Sequence, residues 1–354
     1  MIKAIKRAVI TRVLDKRKKG QAFDLEYADN HNDAGDISQM NNSHYYFFTD
    51  FATKECVFYR VAKRGGSAAD EIWLTYRDRA GDIYMAASDH VAKGGYMPAR
   101  VECETAGWVM RFYFDGDVVK AEKGERGYVP AAGGKKLKLK LDGKFVGTGD
   151  CFEFSYDMSS KPMAIALSKE KIDKQKLKEF ENNHQIHYEQ PGKAFVTIEL
   201  DGKASEINGA PAFRDHSFGK REWNYFDRYT WIMGVLENGD AINTSFIRYP
   251  VLKHLQAGFY IENGQKAVSI LKATPVEKIA VPSYGNTPEA FGFDVKYVDG
   301  SVKRVDCKAE FICPYMFEGD FNVNEGVAEF TVNGIKGRGI TEFSFNKDKS
   351  RWGI

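Results

Sequence analysis

The sequence predicts an all-β protein: two tandem antiparallel β-barrels joined by a helix, with a short basic helix at the N-terminus. Three observations carry this. Aromatic residues make up 14% of the 354 residues, and such side chains suit pleated, half-buried surfaces. Short runs of alternating apolar and polar residues recur along most of the chain, at roughly 8–12-residue spacing. Asx-Gly pairs separate many of them, and those pairs favour the tight turns of hairpins. The composition, 43% hydrophobic and 28% charged, excludes a mainly disordered chain.

The elements follow in order. Residues 1–19 read as a helix, because Ile2, Ile5, Val9 and Val13 recur at three- and four-residue spacing among basic residues, with Gly20 as the stop. Such a helix either lies weakly on an anionic membrane surface or packs on the body with its basic face in water. The stripe is short and lacks Trp and Phe, which favours packing. From residue 43 alternation begins: Tyr45–Phe48, Val57–Arg60, Glu71–Tyr76, a turn at Ala80-Gly81-Asp82, Ile83–Met85 and Trp108–Phe114. Residues 136–141, Lys-Leu-Lys-Leu-Lys-Leu, place Leu on one face and Lys on the other. Residues 164–182 break the rhythm, with Lys, Glu and Gln crowding around Ile172, Leu177 and Phe180. They read as a helix that Ser168 caps, followed by a polar linker at Asn182-Asn183-His184.

Strands resume over 194–200, 229–236, 241–249, 258–261, 267–273, 291–298, 302–312, 326–332 and 341–345. Asp201-Gly202, Asn238-Gly239, Asn263-Gly264, Asp299-Gly300 and Asn333-Gly334 mark hairpins between them. The implied organisation is a basic helix over 1–20, a β domain with its linking helix over 21–183, and a second β-barrel over 184–354.

Charge and cysteine exclude several classes. Residues 1–20 carry eight basic groups against Asp15, and the remaining 334 residues sum to −5. A nucleic-acid footprint across the body is therefore not expected. Cysteines at 56, 103, 151, 307 and 313 form no CxxC pair, which fits a reducing, cytoplasmic setting and argues against a disulfide scaffold or zinc knuckle. There is no apolar run of ~18 residues and no uninterrupted signal-peptide core.

Chemistry concentrates in one run, Phe213-Arg214-Asp215-His216-Ser217-Phe218-Gly219-Lys220-Arg221-Glu222-Trp223. In an extended segment Arg214 and His216 point one way, and Asp215 and Ser217 the other. Asp215 or His216 suits general acid–base work. Arg214 suits a carboxylate, its own neighbour or a ligand's. The same run also suits stapling of strand ends by hydrogen bonds, with Gly219 in a tight turn, and the residues alone support both. A second cluster, His187-Tyr188-Glu189-Gln190, offers Glu189 as an acid, a base or a partner for Arg214 or Arg221. A third, Gly337-Arg338-Gly339 to Glu342, lacks nucleotide-loop spacing and reads as close strand packing or a bulge. HExxH and GxSxG are absent, and the seven His are dispersed, so no metal and no cofactor are expected.

These clusters carry a resemblance. Arg214-Asp215-His216-Ser217-Phe218-Gly219 with Arg221 and Trp223 resembles the RDHSWG-x-R-x-W signature. That signature marks an uncharacterised bacterial branch of the carotenoid 1,2-hydratase (hydroxyneurosporene synthase)/AttH-like double-lipocalin superfamily. His187-Tyr188-Glu189-Gln190, Asn41–Phe47 and Gly337–Glu342 are similar to neighbouring motifs of that group, so the resemblance runs from about residue 40 to 345. It implies two tandem lipocalin-like (calycin) barrels with ligand space in or between them. Asp215, His216 and Phe218 take the positions of an acidic group and a His-x-Trp pair that line the pocket in carotenoid hydratases. Phe218 departs from the usual Trp and removes an indole N–H donor.

The expected function is a cofactor-free lyase or isomerase (hydratase, dehydratase, double-bond isomerase or cyclase). Its substrate would be a hydrophobic small molecule such as an isoprenoid, steroid-like or polyketide compound. Asp215 or His216 would be the acid or base, Arg214 or Glu189 its electrostatic partner, and Phe218, Trp223, Tyr229, Trp231 and Tyr188 the pocket wall. Arg221 and Glu342 are expected to close a barrel as an ion pair. The rival reading is a non-catalytic carrier or sensor of a lipophilic ligand. Less favoured is an assembly subunit with filled barrels.

Overall fold

The computed structural model describes residues 2–352, apart from 20–22, 172–174, 176–177, 179–184, 264, 276–286 and 318. The helices are α1 (Ile2–Lys18), α2 (Leu25–Asn30) and α3 (Ser160–Leu167). The strands up to the middle of the chain are β1 (Met40–Thr49), β2 (Cys56–Arg64), β3 (Asp70–Arg77), β4 (Ile83–Ala86), β5 (His90–Val91), β6 (Ala99–Thr105), β7 (Val109–Lys123), β8 (Tyr128–Pro130), β9 (Lys136–Gly147) and β10 (Phe152–Glu153). There follow β11 (Gln185–Leu200), β12 (Lys203–Lys220), β13 (Arg228–Leu236), β14 (Ala241–Arg248), β15 (Leu255–Ile261), β16 (Val268–Ala273), β17 (Ala290–Tyr297), β18 (Val302–Phe317), β19 (Phe321–Val332) and β20 (Ile335–Asn346).

The chain forms two compact units. One holds Asp24–Cys151 and Gln185–Arg221, and the other holds Met1–Phe23, Phe152–His184 and Glu222–Ile354. A single division at residue 183 therefore differs from the observed one. The β11–β12 hairpin completes the first barrel, because β12 pairs with β1 and β11 pairs with β9.

In the first unit the ring runs β12-β1-β2-β3-β4-β7-β9-β11 and back to β12, all antiparallel. The Lys-Leu alternation in β9 closes it. Leu139 and Leu141 are buried inside, while Lys136, Lys138 and Lys140 stay exposed. An eight-stranded barrel leaves an interior just wide enough for side chains, and here aromatics occupy it. The Phe112 ring lies 4.7 Å from Tyr46 and 5.8 Å from both Phe48 and Tyr59. Each such pair adds about 0.5–1.5 kcal/mol beyond burial alone. The β11–β12 hairpin turns at Asp201-Gly202, both with positive φ (49° and 80°), as a type I′ turn requires. It bulges at Gly209 (φ 74°), where the register shifts between Ala194 and Phe195. Gly219 lies inside β12 at positive φ (133°), so the expected tight turn there is a glycine within the strand.

In the second unit β13 to β20 close in sequence order, with β20 returning to β13. Phe246, Phe293, Phe343 and Phe345 fill it, and Trp352 packs on Phe345 at 5.0 Å with its indole N–H donating to Asn346 O at 2.7 Å. Asn333-Gly334 makes a second turn with both φ positive. Gly339 faces Gly234 across β20 and β13, and a Cβ there would stand 2.0 Å from Met233 O. The third sequence cluster is therefore close strand packing. Gly339→Ala is expected to destabilise the protein by about 1–3 kcal/mol, read as a lower urea midpoint at unchanged slope.

Both helices differ from expectation in detail. Ser159 caps the start of α3, accepting from the Lys161 amide, and Ser168 ends it. The reason is Pro162, which fits a first helical turn and starts the helix earlier. Ile172, Leu177, Phe180 and the linker at Asn182–His184 lie outside the described residues, as does Gly264. In α1 the apolar stripe does not pack on the body. Ile5, Val9 and Val13 are 58%, 57% and 50% exposed. Ile10 and Leu14 are half-buried on the other side, and polar anchors hold the helix: Lys6 Nζ donates to Glu170 O at 2.9 Å and Arg7 Nε to Ser168 Oγ at 3.1 Å. All five cysteines are free thiols. Among the described residues no helix is long and apolar enough to cross a membrane.

Candidate functional site

The β11–β12 hairpin carries both sequence clusters and presents them on two faces. The register sets Glu189 against Asp215, Tyr188 against His216 and Gln190 against Arg214. Strand alternation then sends Tyr188, Gln190, Arg214, His216 and Phe218 to the barrel interior, and His187, Glu189 and Asp215 to the opposite face of the strands. The four expected catalytic residues are thus separated in pairs. Arg214 and His216 share one face, and Glu189 and Asp215 share the other.

The inner face is a closed polar network. Arg214, fully buried, donates from both terminal nitrogens to Asp29 at 2.6 and 3.1 Å, and from Nε to Gln190 Oε1 at 2.8 Å. Asp29, from α2, also accepts from the Gly107 amide at 2.6 Å. The Tyr188 hydroxyl lies 2.6 Å from both Asp29 Oδ1 and His216 Nδ1. Burial pushes the Asp29 carboxyl up, but the Arg214 charge and the hydrogen bonds from Arg214, the Gly107 amide and Tyr188 together outweigh it and hold the group below its ordinary value. Asn42 spends its amide protons on the His31 and Asp33 carbonyls, so its Oδ1 accepts from His216 Nε2 at 2.8 Å. His44 stacks on His216 at 3.7 Å and bonds Asn32 Oδ1 at 2.8 Å. The Phe218 ring packs against Tyr27, His31 and His216. Phe218 and Tyr188, expected as pocket wall, are packed parts of this network.

Two neutral histidines follow. Burial, with the Arg214 charge adding to it, lowers His44 to about 3 and His216 well below 6.5. The unfolded chain binds these protons near pH 6.5 and the folded chain does not, so stability falls as pH drops from about 6.5 towards 3. His44 alone should cost about 2 kcal/mol by roughly pH 5. Urea midpoints measured at both ends of that window check this. A His44→Gln, His216→Gln double variant should lose most of the slope.

The outer face is different. His187 makes a close ion pair with Asp215 and lies 3.4 Å from Glu189. Glu189 is fully buried, whereas the His187 side chain is 35% and the Asp215 side chain 15% exposed. Burial lowers the imidazole, but Asp215 first and Glu189 next override it, raising His187 to about 10. The ring is charged at neutral pH and partly exposed, while its Nε2 and the Asp215 Oδ2 that it faces are buried. Ligand atoms of the three residues all lie within 4.8 Å of one another, a donor set a divalent cation would accept. A metal needs neutral imidazole, so it would compete with a tightly held proton. The sequence placed His187 at the head of the second cluster but gave it no role. The signal for its role was its position two before Glu189, on the same strand face.

The other expected residues lie elsewhere. Trp223, Tyr229 and Trp231 belong to the second unit, where Trp223 stacks on Phe317 at 4.4 Å and Tyr229 on Phe321 at 5.7 Å. Arg221 and Glu342 do not close a barrel together. Arg221 donates to Gln185 Oε1 at 2.7 Å and Ser217 Oγ at 3.0 Å, while Glu342 accepts from Ser344 Oγ at 3.0 Å within the second unit. The reason is that Arg221 follows β12 in the first unit, whereas Glu342 lies in β20 of the second.

Two eight-stranded antiparallel barrels in tandem, with a charged hairpin completing the first, define an AttH-type double-lipocalin fold. The chain belongs to the family described as DUF7064, a domain of unknown function, whose model matches residues 25–347. No curated protein matches it. Solved structures similar to it include an AttH-type protein from Nitrosomonas europaea (12% identity, TM-score 0.55, covering 93% of this chain and 98% of that one). Another is kievitone hydratase from Nectria haematococca (9% identity, TM-score 0.54, 95% of each chain). A third is CghA (9% identity, TM-score 0.53, 88% of this chain and 90% of that one). At these identities the likeness concerns the fold.

Proposed function

We propose that the protein is a lyase of the hydratase type, adding or removing water on a hydrophobic small molecule with the His187–Asp215 pair. One observation carries this reading: a charged, partly exposed imidazolium held against two carboxylates. In the dehydration direction His187 gives its proton to a leaving hydroxyl as the C–O bond breaks. Asp215 takes a proton from the adjacent carbon as the double bond forms. Their direct contact returns that proton to His187, so the pair ends as it began, with water as by-product. Glu189 keeps the imidazolium charged. The similar fold of a protein described as a hydratase fits this reading.

The rival is a carrier of lipophilic ligands, favoured by the inner face, where the Arg214–Asp29 pair is satisfied wholly by the protein's own groups. Native mass spectrometry of the purified protein would identify any retained lipophile. That compound, tertiary and allylic isoprenoid alcohols and a sterol are then incubated with the protein in deuterium oxide. Gain or loss of water with carbon-bound deuterium supports the lyase. Saturable binding of the retained compound with no exchange at any carbon establishes the carrier instead.

A further inference from the structure

In the second unit, α1 turns its apolar ridge away from the body. At the ~100° per residue of a helix, Ile5, Val9 and Val13 share one stripe. The half-buried residues Arg7, Ile10, Thr11, Leu14 and Lys18 mark the opposite side. The exposed cations Arg12 and Lys19 flank the stripe on one edge, Lys6 and Arg17 flank it on the other, and Lys16 stands at its C-terminal end. Asp15 is the helix's only acid. A helix that merely covered its barrel would do the reverse and bury the stripe.

A cleft of about 780 Å³ in the same unit continues this charge pattern. Arg7 of α1 borders it, together with Lys169, Arg248, Lys253, Lys272 and Lys296. Asp294 is the one carboxylate among its described lining residues, and Arg304 lies 3.6 Å from it. Parts of the lining are apolar, including Ile165, Ile247 and Leu271.

From this juxtaposition we infer that α1 and the adjoining cationic cleft form a surface that docks on an anionic phospholipid bilayer. The Ile5-Val9-Val13 ridge enters the headgroup–acyl boundary, and the flanking cations and the cleft take lipid phosphates. Charge complementarity selects this occupant. A second copy of the chain would set one basic ridge against another. A nucleic acid would leave the apolar ridge in water. The known geometry of surface-bound helices, with an apolar face inserted and Lys and Arg at the phosphates, matches the arrangement.

The test is co-sedimentation of the full chain with phosphatidylcholine vesicles and with vesicles that also contain phosphatidylglycerol. Binding is expected with the anionic vesicles only, weakening as salt is raised. Val9→Asp should abolish it. Lys169→Gln and Lys272→Gln should each weaken it by about fivefold. All three side chains are exposed, so circular dichroism should show each variant folded. Equal binding to neutral vesicles, or none to either kind, would overturn the inference. So would a Val9→Asp variant that binds vesicles like the wild type. Size-exclusion light scattering covers the competing occupant: if Val9→Asp converts an oligomer to a monomer, the ridge is an interface between copies.

Discussion

Arg214→Met should destabilise the first barrel by about 3–5 kcal/mol, the effect of removing one partner from a buried ion pair. Asp29 is fully buried and its two oxygens receive two guanidinium nitrogens, the Gly107 amide and the Tyr188 hydroxyl. Without the guanidinium, the carboxylate keeps its desolvation cost and loses its counter-charge. It then takes up a proton at much higher pH. For the native pair the folded-state pKa of Asp29 is lowered, so its stabilisation is present above about pH 3.8 and is lost as pH falls through the depressed value. Arg214→Met should therefore lose stability already at neutral pH. An Asp29→Leu, Arg214→Met double variant should recover part of the loss, because replacing both charges removes the stranded carboxylate. Urea denaturation gives the magnitude. Hydrogen exchange should show it localised to β1, β11 and β12. A loss under about 1 kcal/mol would mean that packing alone holds this end of the barrel.

The second large effect falls on turnover. Asp215→Asn should lower the rate by ~10²–10⁴, the usual contribution of a positioned acid or base, and should also move the pH profile. Wild-type His187 is held charged up to about pH 10, so activity that needs the imidazolium should fall only in that alkaline range. With Asp215 neutral, the largest stabiliser of the charge is gone and the alkaline limb should move to lower pH. His187→Gln should lose the limb altogether. A carrier would show neither shift, and its ligand affinity would be indifferent to pH across the same range. Glu189→Gln separates tuning from chemistry: it should shift the limb with a smaller loss of rate, since Glu189 is buried behind the imidazole.

Much of this fold was legible from local pattern. The Lys-Leu run at 136–141 has a period of two, and β9 is built on it. The Asp201-Gly202 and Asn333-Gly334 pairs need positive φ, and both occupy hairpin turns. Such signals are local, because side-chain alternation and turn geometry depend on a few consecutive residues. The clustering of chemistry around 187–190 and 214–216 was legible for the same reason. Alternation within that run even separated Arg214 and His216 from Asp215.

The partners were not legible. Asp29 binds Arg214 from 185 residues away, out of a six-residue helix with nothing in its sequence to mark it. Only closure of the barrel brings α2 over the end of β12. That closure turns the Arg-Asp-His run from one site into two, a sealed inner network and a partly exposed ion pair on the other face of the strand. The orientation of α1 was decided in the same way. Its amphipathic spacing is in the sequence, but which face meets the body depends on where Glu170 and Ser168 present their acceptors. The sequence by itself determined the strands, their turns and the residues that carry charge. The tertiary structure decided which charges meet, because burial and register act between segments that the chain keeps far apart.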